Sequence, residues 1–104
     1  MRAETLKGHL DFLLLAIVAA EPAHGYAIIE ELKRRSAGAF DLPEGTVYPA
    51  LHRLERGGFL ASSWASKTGR GRRVYRITGS GRRALARERR AWEGFTRAVE
   101  AVVA

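Results

Sequence analysis

Residues 44–60 (EGTVYPALHRLERGGFL) combine outward-facing polar side chains with an apolar helix face. Four apolar residues recur at the i, i+3, i+4 and i+7 spacing that places side chains on one buried face. They are Val47, Ala50, Leu51 and Leu54, on a helix predicted over residues 44–57. The other faces carry the residues that could read base edges in a major groove, namely Thr46, Tyr48, Pro49, His52 and Arg53. A solvated surface helix carries similar residues, so the flanking segments decide between the two interpretations.

A short basic segment at residues 66–73 follows this helix. Gly69 and Gly71 allow a turn between a predicted strand at 59–65 and a predicted antiparallel partner at 74–78. Its cations are Lys67, Arg70, Arg72 and Arg73. Like charges on one hairpin repel each other and attract a polyanion. The alternative is a solvated basic loop, but the position after the helix favours contact with DNA phosphates or the minor groove. Trp64 and Tyr75 are predicted to pack beneath the hairpin.

Composition indicates one small domain with an attraction to polyanions. The chain has 104 residues, with 18 Lys and Arg against 11 Asp and Glu, a formal charge of +7. Fifteen of the basic residues are arginine, which favours bidentate contacts with phosphate and guanine. The absence of cysteine excludes disulfides and cysteine metal sites. The longest apolar run, residues 12–20, is too short to span a bilayer, and no signal peptide is evident, so a cytoplasmic protein is expected.

No pattern in the chain indicates catalysis. The three histidines are scattered without a paired carboxylate, and neither a nucleophile–base set nor a phosphate-binding loop is present. The sequence therefore predicts no enzyme, no metal site and no cofactor.

Two further helices are predicted before the outward-facing one. Residues 4–20, with Thr5 as a cap, are apolar on most sides. This helix lies either between its own core and a second subunit or at the centre of a monomer core. The second helix runs from His24, a predicted turn or cap residue, to about Arg35. Its predicted buried side contains Tyr26, Ile28, Ile29 and Leu32, and a very short strand is predicted at residues 40–42.

The last predicted helix runs from about Arg82 to the chain end, with Thr78 or Ser80 as its N-cap. Leu85, Trp92 and Val99 are seven residues apart, a heptad-like spacing. Phe95 and Val102 follow the last two by three residues. The pattern predicts a dimer seam; the alternative is packing onto the helix's own domain. The full predicted dimer interface is Leu6, Leu10, Leu85, Trp92, Phe95, Val99 and Val102.

Together the elements predict a mostly α fold with a small β hairpin, a winged helix-turn-helix followed by one C-terminal dimerisation helix. Residues 1–78 would form the DNA-binding domain and residues 79–104 the dimerisation helix, as one compact unit.

The chain resembles the PadR family of bacterial transcriptional regulators through motifs spread over nearly its whole length. The matching segments are residues 24–26 (HGY), 45–51 (GTVYPAL), 53–58 (RLERGG), 69–73 (GRGRR) and 74–78 (VYRIT) with Gly81. With a single helix after the basic hairpin, which is the wing of the winged helix, the chain is similar to the short subgroup of the family. The resemblance implies a homodimeric winged-helix repressor in which Tyr48 and the wing arginines contact double-stranded DNA.

In some short members of that family a tryptophan on the last helix stacks against flat aromatic molecules at the dimer centre. Trp92 matches this position, and Asp11 and Phe12 could line the same cavity at the dimer centre. The resemblance thus implies a small aromatic effector, whereas Trp92 could also simply fill a dimer core. The function predicted is sequence-specific regulation of transcription at an inverted-repeat operator. The alternative is a winged-helix module for protein interaction or non-specific nucleic-acid binding.

Overall fold

The computed structural model describes Leu6, residues 8–65 and residues 72–104. The elements described in this part of the chain are four helices and three short strands. The helices are α1 (Leu10–Ala20), α2 (Gly25–Arg35), α3 (Glu44–Arg56) and α4 (Gly79–Val103). The strands are β1 (Ala23–His24), β2 (Leu60–Trp64) and β3 (Arg73–Ile77). This architecture confirms the predicted mostly helical fold with a small β hairpin. No helix in the described residues is long and apolar enough to cross a membrane.

The sheet has β3 at its centre, with β1 and β2 antiparallel on either side. The strand predicted at residues 40–42 is wrong, because these residues form a turn and irregular structure. The third strand instead comes from Ala23 and His24, which pair with Tyr75 and Val74. A two-residue strand has no periodicity of its own, so only its pairing with β3 defines it.

Helix α1 begins at Leu10, and the single helix predicted over residues 4–20 is wrong, because Leu6 is helical but Gly8 and His9 form a turn. Gly8 adopts a φ of +89°, which a right-handed helix cannot accommodate. The N–H of His9 donates to the Leu6 carbonyl at 2.8 Å and closes a turn before the helix. The predicted cap Thr5 lies outside the described residues. The helix ends at Ala20, since the residue before Pro22 is forced out of helical geometry.

The core is built around α1. This helix packs against the other three helices and β3, and its buried residues are Leu14, Leu15, Ile17 and Val18. Helix α1 therefore packs within the chain's own core, as both predicted interpretations require, and its contact with a second subunit stays a prediction. All four apolar residues predicted for the buried face of α3 are buried.

Helix α2 begins with a capped turn and confirms the role predicted for His24. Its Nδ1 accepts a hydrogen bond from the Ala27 N–H at 3.2 Å. The buried face is formed by Gly25, Ile28, Ile29 and Leu32. The placement of Tyr26 on that face is wrong: Tyr26 lies roughly 110° around the helix from its centre and is exposed.

Helix α4 begins against the end of the α3–β2 connection. The Thr78 hydroxyl accepts from the Gly81 N–H at 3.0 Å and caps the helix, which confirms one of the two predicted caps. Gly81 is buried, and a Cβ there would collide with the Phe59 carbonyl oxygen. This close contact holds the first two turns of α4 against the core, whereas most later residues of the helix are exposed.

Candidate nucleic-acid interface

The surface of α3 opposite its buried face is open. Thr46, Pro49, His52 and Arg53 are exposed and Tyr48 is half-buried. The helix ends at Arg56 with Gly57 as its C-cap, and Gly58 adopts the left-handed conformation with a φ of +81° that turns the chain into β2. These features hold the outward face of α3 beside the antiparallel pair of β2 and β3 with the adjoining Ala65 and Arg72, which we call the wing.

A concavity of about 460 Å³ lies between α3, the start of α2 and the wing. Its lining is mainly aromatic and cationic: His24, Gly25, Tyr26, Glu44, Tyr48, His52, Trp64, Arg72, Arg73 and Tyr75. The Tyr48 ring lies over Gly25, where a Cβ would come within 2.5 Å of the ring carbon Cε1. Glycine at position 25 therefore fixes where the Tyr48 side chain lies.

Tyr75 lines this concavity and is buried, in agreement with its predicted packing beneath the hairpin. It is 2% exposed, and this burial raises the pKa of its phenol. Trp64, predicted to pack beneath the wing, is 65% exposed, which makes that prediction wrong. Its position at the last residue of β2 leaves its ring on the surface with the Arg73 guanidinium 5.2 Å above its centroid.

The two described wing arginines have different surroundings. Arg73 Nε donates to Ser62 Oγ at 3.0 Å, and its Nη2 lies 3.7 Å from a Glu55 carboxylate oxygen. Arg73 is thus engaged with β2 and α3. Arg72 is exposed, and its Nη1 lies 3.2 Å from His24 Nε2. Lys67 and Arg70 lie outside the described residues.

Arg53 on α3 is paired with Asp11 in the first turn of α1. Its Nη2 donates to the Asp11 carboxylate at 2.6 Å, and both side chains are partly exposed. This pair orients the Arg53 side chain along the protein surface, and the Asp11 carboxylate offsets the charge of the guanidinium. A surface pair of this kind is worth about 0–1 kcal/mol, so it can be exchanged for a stronger acceptor.

The structure brings some of the predicted DNA-contacting residues together. Tyr48, His52, Arg72 and Arg73 line the concavity, whereas Thr46, Pro49 and Arg53 lie on the rest of the α3 surface. Sequence reasoning missed the exposed aromatic residues Tyr26 and Trp64 at this interface. Each occupies a position that the apolar pattern alone assigns to the core.

The residues predicted for a dimer seam fall into two groups. Leu6 and Leu85 are buried within the chain, and Leu10 is half-buried against its core. The exposed group lies on the extending part of α4: Trp92, Phe95, Val99 and Val102. The predicted effector residues make different contacts in the single chain. Asp11 pairs with Arg53, Phe12 packs against the core, and Trp92 contacts His9 and Phe95.

A helix-turn-helix with an exposed second helix and an adjacent basic hairpin defines the winged-helix class of DNA-binding regulators. Residues 14–87 match the Transcriptional regulator PadR-like family, and the chain belongs to this family of transcriptional regulators. Over 86 residues it is 43% identical to the transcriptional regulator Rv3488 of Mycobacterium tuberculosis, covering 83% of this chain and 78% of that protein.

Solved structures agree with this assignment. A PadR family transcriptional regulator from Eggerthella lenta is 32% identical, with a TM-score of 0.83 over 96% of this chain and 86% of that one. A PadR family transcription regulator from Clostridium difficile is 26% identical, with a TM-score of 0.81 over 93% of this chain and all of that one.

Proposed function

We propose that the protein is a homodimeric repressor that binds an inverted-repeat operator through α3 and the wing. The observation that carries this proposal is the concavity in which Tyr48 and His52 of α3 lie beside Arg72 and Arg73 of the wing. Side chains of α3 can contact base edges, while wing cations neutralise phosphates. The formal charge of +7 supports a polyanionic partner, and binding to the chromosome would place the protein in the cytoplasm.

Dimerisation through α4 supplies the symmetry that an inverted repeat requires. The helix has 25 residues, so it is about 37 Å long, and its distal half carries an exposed apolar stripe. Phe95, Val99 and Val102 border one shallow apolar depression of about 380 Å³ with Ala98 and Val103. A second copy of α4 would cover this stripe and remove its apolar surface from water.

In vitro selection of the full chain against a random duplex library tests the operator. We expect enrichment of an inverted repeat with half-sites about one helical turn, roughly 10 base pairs, apart. The geometric reason is that two copies of α3 related by a twofold axis reach successive major grooves on one side of the duplex. Enrichment of a single half-site would contradict the symmetric dimer, and salt-sensitive binding without enrichment would contradict sequence-specific regulation.

A small aromatic effector is also part of the proposal. Trp92 presents a half-exposed ring on α4, and its edge-to-face contact with His9 at 5.6 Å brings α1 beside it. A flat aromatic molecule could stack on this ring at the dimer centre, near Asp11 and Phe12. We expect such molecules to quench tryptophan fluorescence in the wild-type chain and not in Trp92→Phe, which retains Trp64. Equal quenching in both proteins would contradict binding at Trp92.

A further inference from the structure

His24 and Arg72 bring two hydrogen-bond donors together at the rim of the concavity. His24 Nδ1 accepts from the Ala27 N–H, so this nitrogen carries no proton. The neutral ring then carries its proton on Nε2. That Nε2 lies 3.2 Å from Arg72 Nη1, and an arginine side chain has donors only. The two groups therefore cannot satisfy each other, and an acceptor placed beside them could bond to both.

We propose that His24 and Arg72 jointly hold one phosphodiester of the DNA backbone, which rests on the proposed function and extends it. A phosphodiester has two anionic oxygens that only accept hydrogen bonds, and its charge balances that of one guanidinium. The pair lies between the surface of α3 and the wing, in the same concavity as Tyr48 and His52. A duplex read by α3 would therefore bring its backbone past these donors.

The sheet fixes the separation of the two donors. His24 is paired with Val74 in the β1–β3 register, and Arg72 lies two residues before Val74. The imidazole is held in addition by its bond to the start of α2. The site is therefore built on the β1–β3 pairing and a helix cap, with Arg72 one residue before β3. Its phosphate contact would set the position of the wing relative to α3 when DNA is bound.

His24→Asn tests the site, because asparagine is also a strong N-cap but has no donor at the position of Nε2. We expect an unchanged melting temperature and about fivefold weaker binding to every duplex, with an unchanged slope of log K against log salt, because the neutral imidazole releases no counterion. Arg72→Ala should weaken binding to a similar extent and also reduce the salt slope by about one, because it removes a cation. In the double variant the loss should be smaller than the two losses combined, since both donors serve one phosphate.

Two further variants control for capping and for charge. His24→Ala removes the cap as well as the donor, so it should lower the melting temperature in addition to weakening DNA binding. Arg35→Ala removes one cation at the opposite end of α2, where Arg35 pairs with Glu31. We expect Arg35→Ala to leave the salt slope unchanged. A fall in slope for Arg35→Ala equal to that for Arg72→Ala would assign the effect to net charge and overturn the site.

Nitrogen NMR of the His24 ring supplies an independent measurement. We expect a proton on Nε2 in the free protein and a shift of that nitrogen when a duplex is added. A proton on Nδ1, or an equal response to the same concentration of inorganic phosphate, would overturn the proposal. Binding can be measured with any duplex. A failure of operator selection would therefore contradict the proposed function alone, whereas wild-type duplex affinity in His24→Asn would contradict the phosphate site alone. Absence of all duplex binding would contradict both.

Discussion

Phe95→Asp will convert the protein into a folded monomer that no longer binds an inverted-repeat operator tightly. Phe95 is 53% exposed in the single chain and lies outside the core cluster, so its replacement removes an edge-to-face contact with Trp92 and no core packing. In a dimer joined through α4, the aspartate would be buried without a partner. Leaving a charge uncompensated in this way costs about 3–5 kcal/mol, which corresponds to a dissociation constant on the order of a thousandfold higher.

Sedimentation analysis at micromolar concentration, together with operator titration, measures both consequences. A monomer contacts one half-site at a time, so its affinity for the full operator should approach that for an isolated half-site. Arg90→Ala is the matched control, because it makes the same change of one unit in net charge on the opposite side of α4. We expect that variant to remain dimeric. A Phe95→Asp protein that sediments as a dimer would show that the seam lies elsewhere.

The apolar pattern predicts the helices well because it records burial directly. Helix α3 was expected at 44–57 and spans Glu44–Arg56, and all four of its predicted core residues are buried. The positions of β2 and β3 agree with prediction to within one residue at each end. In each case the alternation or the helical spacing arises from contact with the core, so local sequence contains the information.

The errors have a different origin. The strand at Ala23–His24 and the exposure of Tyr26 and Trp64 depend on which segments meet in the folded chain. An apolar or aromatic residue does not by itself show whether it lies beneath the sheet or at the edge of a binding surface. The break in the predicted helix before α1 depends on the single φ angle of Gly8. A glycine permits that angle without requiring it.

The candidate site also combines features that the residue types predict with features that depend on which segments meet in the fold. Residue types alone identified the wing cations, but they could not separate Arg73, which is bonded to Ser62 and stacked on Trp64, from Arg72 beside His24. Sequence reasoning assigned His24 only a capping role. Its second nitrogen lies beside Arg72 because β1 and β3 are paired, and this pairing joins residues 50 and 52 positions apart.

Gly25→Ala will weaken operator binding by displacing Tyr48, with little change in stability. The new Cβ would lie 2.5 Å from Cε1 and 2.8 Å from the hydroxyl of Tyr48, so the ring must move. These atoms are at the far end of a half-buried side chain, which can rotate away from α2. Gly25 is not among the residues with positive φ, and alanine favours a helix by about 1 kcal/mol over glycine. The melting temperature should therefore be equal or slightly higher.

Loss of one base-reading side chain costs about 1–3 kcal/mol, so operator affinity should fall by roughly 5- to 150-fold, with a smaller effect on unrelated duplexes. Gly79→Ala is the matched control: it also changes the first residue of a helix, and its Cβ would meet only Arg83 Nη1, at 3.5 Å. Operator titrations of Gly25→Ala, Tyr48→Ala and the double variant complete the cycle. If Gly25→Ala acts through Tyr48, it adds almost nothing to Tyr48→Ala. Full additivity, or wild-type operator affinity in Gly25→Ala, would show that the tyrosine held over Gly25 does not read the operator.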